Sequence, residues 1–200
     1  ETGNPLHRPV AFLTLAQNWH VGEDNVVGYH AVNLAIHFLT AFLLFLSILN
    51  LSRSPNLRDR FGGHAYLTAF FSAALWAVHP IQTQAVTYIV QRMTALAAMF
   101  YMLSILCYVK CRLSRSSLGR VLLLLGCGLA FVFALGSKEN TATLPAALLL
   151  IEVTCFQNMG RKRTKWALTG GSIAGGLLLF VVSVWLFLAD GPVGCINSYS

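Results

Sequence analysis

Long apolar stretches separated by short polar connections dominate the chain and predict a bundle of membrane helices. The apolar stretches run over residues 29–51, 65–78, 85–109, 118–135, 141–156 and 166–188. A helix needs about 20 mostly apolar residues to cross a bilayer. Two of the stretches, 65–78 and 141–156, are short for this, and Pro145 should kink the second of them. The pattern predicts an all-α, polytopic integral membrane bundle of about six transmembrane helices.

Clusters of Lys and Arg in three of the connections predict how the bundle is oriented. They hold most of the 14 basic residues and lie within residues 53–60, 110–120 and 161–165. Short basic connections between spans stay on the cytoplasmic side. Both termini, the turn at His79 and the turn at Lys138 are therefore predicted to be extracytoplasmic.

Three regions follow from this order of segments. Residues 1–28 are predicted to form an extracytoplasmic loop or interfacial segment, residues 29–189 a membrane domain of about six helices, and residues 190–200 an extracytoplasmic tail. The chain begins at Glu1 rather than Met and ends just after an apolar run. We therefore expect it to be a fragment of a longer protein.

Composition supports a membrane protein and argues against a nucleic-acid-binding one. Hydrophobic residues make up 56% of the chain and charged residues 10%, against roughly 25% charged residues in soluble domains. The net charge of +7 comes from cations at span ends rather than from one basic patch. Membrane lipid is therefore the expected environment, and no nucleic acid is expected. The five cysteines lie in or beside apolar runs, which suggests small buried hydrophobic residues.

A polar stripe runs along the first apolar segment. His30, Asn33, His37 and Thr40 recur at helical spacing on one face. Two histidines on one helix can bind haem or a metal, but no carboxylate or Cys joins the stripe, and we predict no metal site. A seam that hydrogen-bonds neighbouring helices is the favoured interpretation. His30 lies near enough to the outer face to help line a pocket there.

Polar residues follow the turn at His79 and enter the third apolar segment. Gln84, Tyr88 and either Gln91 or Arg92 recur at helical spacing, and Arg92 lies about two turns inside. A membrane arginine is costly unless it faces a pocket, an anion or water. Two interpretations stay open: Arg92 snorkels to the outer interface, or its planar guanidinium binds a phosphate.

The turn at Ser137–Thr141 is the only charged outer turn between spans. Lys138 and Glu139 are compatible with an ordinary solvated pair. The turn is short, however, and it opens a helix whose free N–H groups would face an anion. The sequence therefore also favours an anion site here.

Three stretches together resemble the membrane domain of the transmembrane and tetratricopeptide-repeat O-mannosyltransferases and their bacterial relatives. That family belongs to the C-type glycosyltransferase superfamily. The stretches are Arg8-Pro9-Val10 with Gly28-Tyr29-His30 through Asn33 and His37, then His79-Pro80 through Thr83-Gln84 to Arg92, and finally Ser137-Lys138-Glu139 through Thr143-Leu144-Pro145. They are similar, in order and spacing, to R-P-[LV] with G-[FY]-H-x-x-N-x-x-x-H, to H-P-[IV]-H-T-E-A-V with G-R-A-[DE], and to S-K-E-x-x-x-T-L-P.

The resemblance implies a partial C-type glycosyltransferase fold and a transferase function. The substrate would be a polyprenyl-phosphate-linked sugar, with no certain cofactor, and the acceptor a protein hydroxyl on the extracytoplasmic face. The catalytic carboxylate of this class precedes the R-P motif, so it would lie upstream of Glu1. A tetratricopeptide-repeat segment would follow the membrane domain beyond the C-terminus. A bacterial inner membrane is the expected location.

The resemblance also assigns roles to particular residues. The phosphate would be held by His79, Arg92 and Lys138. The sugar or the loop would be oriented by Gln84, Glu139 and Arg8, with His30 at the edge of the site. We expect the first group to border one cavity that is open to the outer aqueous phase and to lipid.

The chain departs from the family pattern at several polar positions. Gln82 and Gln84 replace a His and a Glu, Gln91 replaces a Gly, and Thr94 replaces an acidic residue. These losses put an acid/base role of this loop in doubt. They favour a second hypothesis, a non-catalytic membrane anchor or scaffold. A third hypothesis is a small transporter, supported by the polar stripe of the first segment.

Overall fold

The part of the chain that the structure describes consists of helices joined by short turns. A computed structural model describes residues 8–23 and 25–157, and no strand occurs among them. The α-helices are α1 (Pro9–Gly22), α2 (Val26–Leu51), α3 (Arg58–Phe61), α4 (Ala65–Val78), α5 (Thr83–Thr87), α6 (Arg92–Leu113), α7 (Ser117–Leu135) and α8 (Leu144–Ile151). Short 3₁₀ turns connect several of them, and a π-helical turn, Glu152–Phe156, follows α8. The predicted all-α class is confirmed.

Three helices among the described residues are long and apolar enough to cross a membrane. They are Val26–Leu51, Ile89–Leu113 and Ser117–Leu135. With 14 residues, α4 is too short for a straight span of about 20 residues, and α8 has only 8. The sixth predicted segment, 166–188, lies outside the described residues, as do the third basic connection and the tail. A count of six spans is therefore not reached within the described part of the chain.

The chain divides into two compact units after Thr141. The first unit contains α1 to α7. Within it α6 packs along α7, and α2 packs against both α4 and α6. Between α6 and α7 the hydroxyl of Ser104 donates to the carbonyl of Cys127 at 3.0 Å. The second unit contains α8 and the π-helical turn.

The third apolar segment is broken, although the sequence predicted a continuous helix from residue 85. α5 ends at Thr87, and Tyr88 is extended, with φ −91° and ψ 119°. A 3₁₀ turn then leads into α6. A break in a membrane helix frees backbone groups that the hydrocarbon cannot satisfy, so they need partners in the protein. The structure supplies these partners from α2.

The polar stripe of α2 faces this break and the end of α4. Asn33 is within 3.4 Å of the Tyr88 carbonyl and 3.5 Å of the Val86 carbonyl, and His30 Nδ1 lies 3.2 Å from the Val86 carbonyl. His37 Nε2 lies 3.0 Å from the carbonyl of Ala77, in the last turn of α4. The stripe therefore supplies donors to helix-end carbonyls. The prediction that it faces other helices rather than lipid is confirmed.

His37→Leu is expected to destabilise the bundle by about 1–3 kcal/mol, because the Ala77 carbonyl loses its donor in a buried place. His37 also stacks on Trp76, with ring centroids 5.1 Å apart. For a chain of this size each kcal/mol corresponds to roughly 2–4 °C in Tm. Thermal unfolding in detergent measures the shift. Phe38→Leu is the control, since Phe38 is 62% exposed. Equal Tm values for the two variants would contradict a stabilising role of the hydrogen bond from His37 to Ala77.

Candidate functional site

The N-terminal end of α1 lies against the C-terminal end of α7. Arg8 precedes α1, and Pro9 occupies its first turn, where a missing N–H costs nothing. The amide of Val10 donates to the carbonyl of Gly136 at 3.2 Å. A Cβ at Gly136 would lie 2.9 Å from Val10 Cγ2. The glycine is therefore required for this close approach, which fixes where Arg8 can reach.

The side chain of Arg8 binds the turn that follows α7. Its Nε and Nη2 atoms donate to the two carboxylate oxygens of Glu139, each at 3.1 Å. This two-point geometry suits a guanidinium and a carboxylate. A third nitrogen, Nη1, lies 3.4 Å from the sulfur of Met93 at the start of α6. Arg8 therefore joins α1, α6 and the turn after α7.

Hydroxyl groups of the turn after α7 bond to backbone carbonyls of α7 and of the turn itself. Ser137 is fully buried, and its hydroxyl donates to the Phe133 carbonyl at 2.8 Å. The Thr141 hydroxyl donates to the Lys138 carbonyl at 2.8 Å. These bonds orient Lys138 toward α6, where its Nζ donates to the Thr94 hydroxyl at 2.9 Å. Within the described residues, no carboxylate forms an ion pair with Lys138.

A cleft of about 210 Å³ lies between these groups. It is lined by Arg8, Tyr88, Val90, Gln91, Met93, Thr94 and Lys138. Pockets for drug-sized ligands measure roughly 300–1,000 Å³, so this cleft suits a phosphate group or a single sugar unit. Its lining carries two cations and no carboxylate. Arg8 is paired with Glu139, so it is mainly the charge of Lys138 that favours an anion here.

Arg92 does not line this cleft. Its side chain is 0% exposed, and four hydrogen bonds hold it between α1 and α2. The partners are Asn33 Oδ1 at 2.8 Å, Asn18 Oδ1 at 2.9 Å, and the carbonyls of Tyr29 and Thr14 at 3.0 and 3.2 Å. The Tyr29 ring lies beside the guanidinium, 5.3 Å from its carbon. The structure thus shows neither the snorkelling nor the phosphate-facing arrangement considered from sequence.

The expectation of one cavity bordered by His79, Arg92 and Lys138 is not met. His79 is exposed beyond α4, where its Nδ1 accepts from the Ile81 amide at 3.3 Å. Arg92 is fully buried, where a charged group without partners would be costly, and protein oxygens from two helices satisfy it. Only Lys138 of these three residues lines the cleft.

Of the remaining expected site residues, some lie at the cleft and others do not. Arg8 lines the cleft, and Glu139 is bonded to it. Gln84 is exposed on α5, and His30 contacts the Val86 carbonyl. Thr94, which the sequence marked only as a departure from the family pattern, turns out to be the direct partner of Lys138.

A second cavity, of about 60 Å³, adjoins the first through Thr94. Its lining residues are His37, Thr40, Trp76, Gln82, Ala85, Thr94, Ala95 and Ala98. It is less than a third of the size of the cleft and has room for ordered water molecules. Among the described residues, no three His, Cys, Asp or Glu side chains converge as metal ligands.

The close approach at Gly136 gives a test of how Arg8 is placed. In Gly136→Ala the new methyl group must displace Val10, a β-branched residue with little rotamer freedom, and Arg8 moves with it. We expect the variant to lose roughly 1–3 kcal/mol of stability. Val10→Ala in the same chain removes the clash and should restore the Tm. Gly128→Ala is the control, since nothing lies within 4 Å of its Cβ position; a Tm loss there equal to that of Gly136→Ala would contradict this account.

Known proteins resemble this chain over most of its length. It is 31% identical over 160 residues to human "Protein O-mannosyl-transferase TMTC2", which covers 78% of this chain and 18% of that relative. It is 32% identical over 168 residues to "Protein O-mannosyl-transferase Tmtc1" of Drosophila melanogaster, covering 84% of this chain and 18% of the relative. Human "Protein O-mannosyl-transferase TMTC4" is 32% identical over 112 residues, with 54% and 15% covered. No family model and no solved structure matches the chain.

These matches and the apolar helices define the class of the protein. It is an integral membrane protein with a helical bundle. The chain belongs to the TMTC family of protein O-mannosyl-transferases, and it spans about a fifth of the length of the curated relatives it matches. The relatives named here come from animals, so they do not support the expected bacterial inner membrane.

Proposed function

We propose that this chain is part of the membrane core of a glycosyltransferase that moves a sugar from a polyprenyl-phosphate-linked donor to a protein hydroxyl on the extracytoplasmic face. Family membership supports the transferase class. The observation that carries the choice of donor is the cleft. It holds Lys138 without an ion-pair partner among the described residues, beside Arg8 and at the end of two apolar helices. A lipid-linked phosphate is an anion that reaches such a place from the bilayer.

The chemistry requires stabilisation of a departing phosphate. The acceptor oxygen attacks the anomeric carbon of the donor sugar, and the bond from that carbon to the phosphate oxygen breaks. The phosphate leaves with the bonding electrons as polyprenyl phosphate, and the hydroxyl proton passes to a base that we expect upstream of Glu1. Lys138 and Arg8 would compensate the growing negative charge on the phosphate, which is the term most useful to catalysis here. Gln91, Thr94 and the exposed Tyr88 would contact the sugar.

Other residues named from sequence take lesser parts in this proposal. Glu139 holds Arg8 in place through its two-point contact. His79 and Gln84 are exposed on the connection between α4 and α6, where they would meet the aqueous phase and the protein acceptor. His30 contacts the Val86 carbonyl beside the break in the third apolar segment.

The test is a transfer assay on the full-length protein reconstituted in lipid. A labelled sugar is supplied either as its polyprenyl-phosphate conjugate or as its nucleotide conjugate, with a hydroxyl-bearing peptide as acceptor. We expect label on the peptide from the lipid-linked donor alone. Transfer from the nucleotide conjugate instead, or no transfer from either, would refute the proposed donor.

A non-catalytic anchor or scaffold is the second candidate, and one observation favours it. The cleft has no carboxylate in its lining, and Glu139 is engaged by Arg8. A full-length protein with no acidic residue near the cleft other than Glu139 would support the scaffold. The transporter hypothesis loses its support, because the polar stripe that suggested it contacts protein carbonyls.

The wider setting is also a proposal. We place both termini on the extracytoplasmic side from the basic connections, and we expect a tetratricopeptide-repeat segment to follow this chain in the full-length protein. A bacterial inner membrane stays a prediction from sequence. Cysteines introduced at His79 and Lys138 test the orientation: they should react with an impermeant thiol reagent on the extracytoplasmic side only.

A further inference from the structure

We propose that Arg92 is a positioning residue that fixes α1, and through α1 the side chain of Arg8, in the cleft. The inference rests on the proposed function, because the position of α1 affects donor affinity only if Arg8 contacts the phosphate of the donor. Arg92 itself touches neither the cleft nor the ligand. Its role would be to set how often Arg8 is in place.

Apolar packing within the described unit holds α1 only weakly. Ala11 is the one residue of α1 that is buried. Leu13, Trp19 and Val21 are 71%, 55% and 83% exposed. These side chains can rest in lipid, but lipid contact does not fix the rotation or the register of a helix. The orientation of α1 therefore depends on polar contacts.

Arg92 supplies these contacts at the middle of α1. Its Nη1 donates to the Thr14 carbonyl and to Asn18 Oδ1, both on α1, while Nε and Nη2 donate to α2. A Cβ at Gly28 on α2 would come within 3.3 Å of Asn18 Nδ2, so the glycine leaves room for the amide. One guanidinium thus ties α1 to α2 and α6 at a single point.

The second point that holds α1 is the Arg8 end. Thr14 lies six residues from Arg8, about 9 Å along the helix axis at 1.5 Å per residue. At that end α1 is held by the Val10 amide on Gly136 and by Arg8 on Glu139. Loosening the Arg92 contact lets α1 pivot, and the Arg8 guanidinium leaves the cleft part of the time.

This arrangement predicts a specific effect on ligand binding. The apparent Kd rises by the inverse of the fraction of molecules in which Arg8 is in place. The turnover number changes little, because a bound donor selects the conformation in which Arg8 lies in the cleft. A residue with only a general structural role would lower the amount of folded protein and would not single out donor affinity.

The experiment uses the full-length protein in lipid nanodiscs, with geranylgeranyl phosphate as the binding probe. Asn18→Ala removes one Arg92 acceptor on α1, and we expect the Kd for the probe to rise about tenfold, with kcat within twofold where transfer is measured. Asn18→Asp keeps an acceptor oxygen and should bind like the wild type. Gln17→Ala is the matched control, since Gln17 is the exposed neighbouring amide on α1, and no change is expected.

Two further measurements separate positioning from general destabilisation. In an Arg8→Gln background, Asn18→Ala should add nothing to the Kd, because its effect passes through Arg8. Hydrogen exchange should become faster in residues 9–22 while α6 and α7 stay as protected as in the wild type.

An equal Kd rise in both backgrounds, or faster exchange across the whole bundle, would overturn the positioning role, as would an unchanged Kd in Asn18→Ala. A wild type that does not bind the probe would overturn it as well. A wild type that binds the probe through Arg8 but transfers no sugar would leave the positioning role standing and refute the proposed function.

Discussion

Lys138→Gln is expected to lower sugar transfer by the full-length protein by roughly 10²–10³-fold, the usual cost of removing one group that stabilises charge in a transition state. Lys138 is the cleft cation whose ammonium group bonds, among the described residues, to a neutral hydroxyl, that of Thr94. Its charge is therefore available to a phosphate, whereas the charge of Arg8 is partly balanced by Glu139. The measurement is the initial rate of transfer from the polyprenyl-phosphate donor at saturating concentration.

Two companion variants sharpen this result. Lys138→Arg keeps the charge and should retain a large part of the rate, because a guanidinium also binds phosphate. Lys110→Gln removes an exposed lysine at the other end of α6, and its rate should match the wild type. Transfer that survives in Lys138→Gln at the wild-type rate would exclude the cleft as the phosphate site.

Arg92→Leu is expected to destabilise the bundle by about 3–5 kcal/mol, the range measured when one partner of a buried charged network is removed. The leucine leaves Asn33 and Asn18 without their donor, together with two backbone carbonyls. In a chain of this size the loss corresponds to a fall in Tm of roughly 10 °C. Thermal unfolding of the purified protein measures it.

The control for this substitution is Arg120→Leu, at an exposed position of α7. Surface changes of this kind usually stay within about 0.5 kcal/mol. If both variants unfold at the same temperature as the wild type, the hydrogen bonds of Arg92 contribute nothing to the fold. That result would also remove the basis for its positioning of α1.

Local pattern was enough to predict the helices whose ends coincide with polar connections. The predicted segments 65–78 and 118–135 match α4 and α7 to within one residue. The break at Tyr88 was missed, because Ile89 and Val90 continue the apolar run across it. What permits the break is the set of donors on α2, and a one-dimensional pattern does not show which carbonyls those donors reach.

The candidate site depended on contacts that are distant in sequence. Arg8 and Glu139 are 131 positions apart, and only the resemblance to a family placed them in one region. The predicted position of Arg92, about two turns inside the third apolar segment, indicated that it needs a partner, but its partners include Asn18, 74 positions away. A phosphate and a set of protein oxygens can each accept the hydrogen bonds of an arginine, and the sequence alone does not distinguish them. The folded chain provides the oxygens.

The decisive experiment for the proposed phosphate site is a structure of the full-length protein with a bound polyprenyl-phosphate sugar. We expect the phosphate to lie in the cleft, with an oxygen within hydrogen-bonding distance of Lys138 Nζ and of the Arg8 guanidinium. We also expect Arg92 to keep its contacts to Asn18 and Asn33. A phosphate bound elsewhere, with Lys138 still donating to Thr94 and the cleft empty, would contradict the proposed site.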